Sequence, residues 1–232
     1  MEKKLLSKIL TIAIALWGIT SSAFAQYFPK TALGFNVGTQ GVGIEGKTAI
    51  GGRFDARLGV DIIPINNITS TQFLGNNQTR INIAPRFSNI HLIGDWRPFE
   101  FNADNPLTGN FKLSAGVAYF IKSQGTADIQ LAHDYQYGDM TIPQSEVGVV
   151  TASAKWSHVA PYAGLGLDNI PVFPNFMMGF DMGAYYLSSP SASITGTNFL
   201  AGNSSNQPIL QNNLKSYSFM PVFQVNFNLS IK

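Results

Sequence analysis

The stretch "GGRFDARLGVDI", residues 51–62, constrains the fold of this chain more than any other part of its sequence. Arg53, Asp55, Arg57 and Asp61 share one parity, while Phe54, Ala56, Leu58, Val60 and Ile62 share the other. Only a β-strand sends alternate side chains to opposite faces, so this run carries one apolar face and one strongly charged face. Two architectures accommodate such a strand. A soluble sandwich turns the apolar face into a core and the charges into water; a membrane barrel turns the apolar face to lipid and the charges into its lumen.

The same alternation recurs at about 30–38, 41–49, 79–97, 111–122, 150–167, 176–187 and 218–231, giving eight candidate strands with 51–62 and no stretch of sustained helical period. In the fourth, Arg80, Asn82 and Arg86 share one parity, then Asn89, His91, Asp95 and Arg97 the other. That switch predicts a β-bulge beside Pro85. The connections alternate in length, with 65–78, 123–149 and 189–213 the longer of each pair. Short turns on one side of a membrane and long loops outside are the plan of bacterial outer-membrane barrels. The final segment sets Phe219, Pro221, Phe223, Val225, Phe227, Leu229 and Ile231 on one face without a polar residue among them. Trp96, Tyr119, Tyr186 and Phe219 fall near strand ends, where barrels carry aromatic girdles. The expectation is an all-β chain folded as an eight-stranded antiparallel up-and-down transmembrane β-barrel over residues 26–232.

Composition narrows the alternatives. Charged residues make up 12% of the chain, against about 25% in ordinary soluble domains. There is no cysteine, so neither disulfides nor thiolate metal sites contribute. No second long apolar run follows the N-terminal one, which excludes a bundle of membrane helices. Residues 1–25 combine Lys3, Lys4 and Lys8 with an apolar stretch and the small-residue site Ala23-Phe24-Ala25. That is the plan of a secretory signal peptide cut after Ala25, and the expected destination is the bacterial outer membrane. Its removal takes three lysines and one glutamate from 15 basic and 13 acidic residues, leaving twelve of each. The pI near 8.8 therefore belongs largely to the leader and points to no nucleic-acid partner.

The constellation with chemical content is the predicted lumen set: Glu45, Lys47, Arg53, Asp55, Arg57, Asp61, His91, Asp95, Arg97, Lys112 and Asp181. It reads either as a polar pathway for a small charged or zwitterionic solute or as an ion-pair network that fills the lumen. An eight-stranded interior is just wide enough for its own side chains. No catalytic, cofactor or metal site is expected. Ser157 and His158 are strand neighbours pointing to opposite faces, and Asp128, His133, Asp134 and Asp139 match no metal-loop spacing. The Gly-rich "GTQGVGIEG" leads into no helix that could cradle a phosphate.

The segments "GDWRPF", "FKLSAGVAYF", "VAPYAGLGL", "FDMGAYYLSSPSASITG" and "SFMPVFQVNFNL", in that order, resemble the small outer-membrane channels of the CarO (ornithine-uptake, carbapenem-susceptibility) type and related eight-stranded barrels of proteobacteria. The resemblance covers most of the chain after residue 25 and is best from Gly94 onward. It implies a narrow channel for uptake of small polar or charged solutes. The partners it implies are outer-membrane lipid and lipopolysaccharide, the barrel assembly machinery and a small polar solute. The alternative is a non-transporting structural or surface-interaction barrel; a lipid-modifying enzyme is not expected.

Overall fold

The structure is a computed structural model that describes residues 31–75, 77–99 and 106–231. The expected leader, residues 1–25, and its cleavage site lie outside the described residues. Among the described residues there are thirteen strands: β1 Thr31–Gly38, β2 Gly41–Gly51, β3 Phe54–Ile62, β4 Ile68–Leu74, β5 Asn77–Trp96, β6 Phe111–Leu131, β7 Tyr135–Tyr137, β8 Met140–Ile142, β9 Val149–Lys155, β10 Val159–Phe173, β11 Phe176–Tyr186, β12 Ser191–Gly196 and β13 Phe219–Ile231.

Eight of them form a ring in the order β1, β2, β3, β5, β6, β10, β11 and β13, with β13 pairing back onto β1. Every pairing in it is antiparallel, so each ring strand has a partner on both sides and none presents a free edge. The row Val159, Tyr119, Ile90, Val60, Ile44, Phe35, Phe227, Met178, Ile170 runs from partner to partner around the ring. It leaves β10 at Val159 and returns to β10 at Ile170. That displacement is the stagger which tilts strands in a ring of this kind. Every member of the row is apolar or aromatic, and the row lies on the outer face.

Turn chemistry closes the short connections. Gly41 begins β2 at φ 96° with Ile62 O packed where a Cβ would stand, so the turn after β1 admits only glycine there. Between β10 and β11 the turn residue Asn175 takes φ 63°, a left-handed conformation that asparagine tolerates better than most residues.

The longer connections differ from the expectation of loops. Segment 65–78 contains β4, which pairs with the outer half of β5. Segment 123–149 begins as the continuation of β6 to Leu131, followed by the β7–β8 hairpin and a short helix at Gln144–Val147. Segment 189–213 holds β12, a 3-10 helix at Asn198–Asn206 and an α-helix at Gln207–Leu214. Beyond the ring these strands make a sheet in the order β4, β5, β6, β9, β12. The expected sixth strand at 150–167 is two elements: β9 in this extension and β10 in the ring. The break falls at Trp156–His158, between two stretches that run in the same direction, both antiparallel to β6.

No bulge lies beside Pro85. The register shift sits on β6, where Ser88 pairs with Lys122 but Asn89 with Phe120, leaving Ile121 as the extra residue. Ile121 and Lys122 are consequently both exposed, and Lys122 leaves the face it would share with Lys112. On β5 the even-numbered residues point outward throughout. Its polar pattern changes parity because Arg80 and Arg86 belong to the extension, whose outer face is polar, whereas Leu92 and Trp96 belong to the ring.

Candidate functional site: the charged interior of the ring

Burial in the ring is the reverse of a water-soluble protein. Leu33, Phe35, Ile44, Leu58, Ile62, Leu92, Val159, Met182, Phe223 and Leu229 are each about half exposed, while Glu45, Asp55, Arg57, Asp61, Asp95, Lys112 and Asp181 are at most 5% exposed. The strand period alone produces this, because successive residues of β3, β5 and β6 point alternately in and out. Glycines opposite the charged residues supply the room. Gly59 is paired with both Glu45 and His91, and a Cβ on it would stand 2.6 Å from His91 Nε2. Gly166 lies between Lys112 and Asp181 in the same way.

Arg57 is the centre. Its Nη2 donates to Asp95 Oδ1 at 3.0 Å, and its Nε makes an ion-pair contact with Asp95 Oδ2 at 2.7 Å. Its Nη1 donates to Asp181 Oδ2 at 2.9 Å and reaches Glu45 Oε2 at 3.4 Å. Lys112 Nζ closes the cluster from the far side, 2.9 Å from Asp181 Oδ1, 3.4 Å from Asp95 Oδ2 and 3.7 Å from Asp168 Oδ2. Neutral donors finish it: Ser114 Oγ donates to Asp95 at 2.6 Å, and Asn226 Nδ2 to Asp181.

Toward the end of the ring that holds Thr31 and Ile231, Lys47 Nζ bridges Asp168 and Asp55, and Arg97 grips Asp55 with Nη1 at 2.8 Å and Nη2 at 3.1 Å. Asp55 and Asp95 are direct cross-strand partners, an arrangement of like charges that would be repulsive if these cations did not separate them. On the other side of Arg57, His91 Nδ1 lies 3.1 Å from Asp61 Oδ2, and its Nε2 3.8 Å from Glu45. Six carboxylates thus share the interior with Lys47, Arg57, Arg97, Lys112 and His91.

Toward the extension an apolar layer takes over. Phe120, Tyr162, Tyr185, Leu187, Val222, Ala118, Ala160 and Ile93 form a buried cluster, with Phe87, Trp156 and Met220 packed on it. Phe120 meets Tyr185 edge-on at 5.6 Å, and Tyr185 meets Tyr162 at 4.8 Å. Beside this layer runs a chain of neutral groups, Asn89 to Gln40, Gln40 to Gln224 and Gln224 to Asn226. A cavity of about 10 Å³ remains beside Arg57, Tyr162 and Tyr185, room for no more than a single water molecule. A larger one of about 70 Å³ opens at the terminal end, between Lys47, Asp55, Arg97, Asn169 and Asn228.

Of the residues expected in the interior, Glu45, Lys47, Asp55, Arg57, Asp61, His91, Asp95, Lys112 and Asp181 are buried in this one network, and Arg97 is half-buried at its rim. Arg53 is the exception. It sits exposed in the two-residue turn before β3 begins at Phe54, so its parity no longer decides its direction, and its Nη1 donates to Pro98 O at 3.3 Å. The sequence reading missed Asp168, which it assigned to a turn. β10 continues to Phe173, and Asp168 keeps the inward parity of Tyr162, Gly164 and Gly166 at 2% exposure; the register irregularity between Leu167 and Ile170 follows it. An aspartate two residues past Gly166, on the inward parity of an alternating strand, is the available signal.

The other polar residues singled out from the sequence stand apart. Ser157 Oγ donates to Leu187 O at 2.6 Å and His158 Nδ1 lies 2.7 Å from Phe120 O, so the hydroxyl and the imidazole serve separate carbonyls. Asp128 accepts from Thr151, Asp134 from the backbone N of Gln144, and His133 Nε2 lies 2.7 Å from Gln78 Oε1.

No family model matches this chain, and no curated protein is similar to it in sequence at a significant level. Its fold is shared with solved structures: Acinetobacter baumannii CarO2 superposes with a TM-score of 0.60 at 19% identity, over 89% of this chain and 100% of that one. Acinetobacter baumannii CarO superposes with a TM-score of 0.59 at 19% identity, over 89% and 99% of the two chains. At that identity the likeness is one of fold.

Proposed function

We propose that this chain is an eight-stranded transmembrane β-barrel of the bacterial outer membrane whose lumen is closed at rest. The observation that carries the reading is the inversion of the ring, with large apolar side chains outside and ten or more ionisable groups paired inside. In water that arrangement would expose the hydrophobic surface and desolvate the charges; in a bilayer it satisfies both. The fold shared with the CarO structures supports it. Strand direction places both described termini and the turns after β2 and β10 at one end, and the tight Thr39–Gln40 turn, β4, the β7–β8 hairpin, β9, β12 and the helices of segment 189–213 at the other. In the outer-membrane plan those ends face the periplasm and the outside, respectively.

Two barriers in series close the lumen: the Arg57–Lys112 charge network and the Phe120–Tyr185 aromatic layer. The function this supports best is a non-conducting barrel that holds a polar sheet outside the membrane for contact with its surroundings. A second reading, a narrow channel for small polar or charged solutes that opens by rearranging the network, draws support from the charged cavity at the periplasmic mouth. Six carboxylates against four permanent cations would make such a channel cation-selective. Planar-bilayer recording on the refolded chain tests the choice. The closed barrel inserts without steady conductance, and a steady ohmic conductance from the unmodified protein would overturn it in favour of the channel.

A further inference from the structure

The outer face carries one cluster of charge with no role in the interior. Lys122, Arg86 and Lys155 are all exposed and lie on three adjacent strands, β6, β5 and β9. Arg86 and Lys155 flank Gln124 as its cross-strand partners, and Lys122 is the outward residue preceding Gln124 on β6, opposite Ser88. Strand spacing and rise therefore set the three Cα positions about 7–10 Å apart, within reach of a single anionic group. The ion pairs found among the described residues use none of the three. Their cross-strand neighbours on this face are Ser88, Gln124 and Ser191, all neutral. Asp128 is two outward positions beyond Gln124 and is engaged by Thr151.

The position of the cluster is as informative as its charge. Immediately on its ring side stand Ile121, Tyr119 and Val159, each about half exposed, and His158 stacks on Tyr119 at 5.7 Å. The bulge at Ile121 is what turns Lys122 outward at this height; without it the ammonium would point into the ring. The cations thus sit one step past the end of the apolar belt, at headgroup depth, on the side that the proposed topology turns to the outer leaflet. Resting on that reading, we infer that Arg86, Lys122 and Lys155 form a docking site for the phosphate groups of lipid A. Two of the three cations on one phosphate would form charge-assisted hydrogen bonds in the poorly solvated headgroup layer, where they are stronger than in water.

Native mass spectrometry of the refolded chain in zwitterionic detergent, titrated with bisphosphorylated lipid A, tests this. A one-to-one adduct is expected, lost with dephosphorylated lipid A and at least about tenfold weaker in the triple variant Arg86→Gln, Lys122→Gln, Lys155→Gln. Equal adduct with the triple variant or with dephosphorylated lipid A overturns the inference. Equal adduct with phosphatidylglycerol overturns the choice of lipid A as occupant. If the triple variant does not refold, the three single variants are scored alike, each expected about threefold weaker, and no weakening in any of them refutes the site. Insertion of the same sample into vesicles separates the two readings. Failure of the unmodified chain to insert rejects the barrel, whereas insertion without lipid A discrimination rejects only this site.

Discussion

Arg57→Ala is the substitution that interrogates the interior most directly. It removes the guanidinium that contacts Asp95 at two points, Asp181 at 2.9 Å and Glu45 at 3.4 Å. Removing one partner of a buried ion pair costs about 3–5 kcal/mol, because the surviving charge stays desolvated. Here three carboxylates are orphaned at once, yet Lys112 still stands 2.9 Å from Asp181 and 3.4 Å from Asp95. Water entering the vacated space solvates part of the remainder. Those two compensations set the expectation at the low end, about 3 kcal/mol. Arg97→Ala is the internal control. Its side chain is 20% exposed, and Asp55 keeps Lys47 at 3.3 Å, so the loss should be about 1 kcal/mol or less.

The assay is reversible urea unfolding of the refolded chain in phospholipid vesicles, followed by tryptophan fluorescence, for which Trp96 on the outer face is a reporter. The diagnostic quantity is the gap of about 2 kcal/mol between the two variants. If Arg57→Ala costs no more than Arg97→Ala, the central network is not the electrostatic keystone that its geometry describes, and the closed-lumen argument loses its basis.

Two further substitutions probe the two faces separately. Phe180→Arg places a charge in the outward row Val42, Val37, Val225, Phe180, Leu167, Phe111 and should destabilise the barrel by about 2–4 kcal/mol in the same vesicle assay, with wild-type unfolding refuting a lipid-facing position. Gly59→Ala introduces a Cβ 2.6 Å from His91 Nε2 and 2.9 Å from Glu45 Cβ, and should cost about 1–3 kcal/mol by overpacking. In a double-mutant cycle His91→Ala should recover part of that loss, and strict additivity would show that the His91 ring is not the obstruction.

Period two made most of this architecture legible. Within β3, Asp55, Arg57 and Asp61 on one parity and Phe54, Leu58, Val60 and Ile62 on the other were enough to assign both faces, and burial follows that assignment residue by residue. What period two could not carry was the place where a strand leaves the ring. Arg80 and Arg86 share their face with Leu92 and Trp96, but a change of surroundings beyond the ring mimics a change of parity, and the sequence reading took it for a bulge. The real bulge at Ile121 went unnoticed because Ile121 and Lys122 still fit an alternating pattern. Pairing was equally invisible. That Arg57 reaches Asp181, far away in the chain, follows from which strands face each other across the ring, and no local pattern encodes that.

The interior network also bears on how the strands find their register. In the proposed membrane setting, lipid outside the ring is as apolar as the side chains it meets, so Leu58 or Val60 gains little from one neighbour over another. The penalty lies in the wrong face: slipping β3 by one residue would send Asp55, Arg57 and Asp61 outward, and Arg57 alone would then cost about 2–4 kcal/mol near the midplane. Charges of both signs make the specification sharper than a uniformly polar lining could, because Arg57 must come within reach of Asp95 and Asp181 together. The same contacts limit how a lumen like this can open. Lys112 lies within 4 Å of Asp95, Asp168 and Asp181, and Lys47 serves both Asp55 and Asp168. Exchange of partners among these groups keeps every charge compensated, whereas separating the network would strand several charges at once. A conducting state, if bilayer recording shows one, therefore has to come from cations trading carboxylates along the lumen, together with displacement of Phe120 and Tyr185 above them.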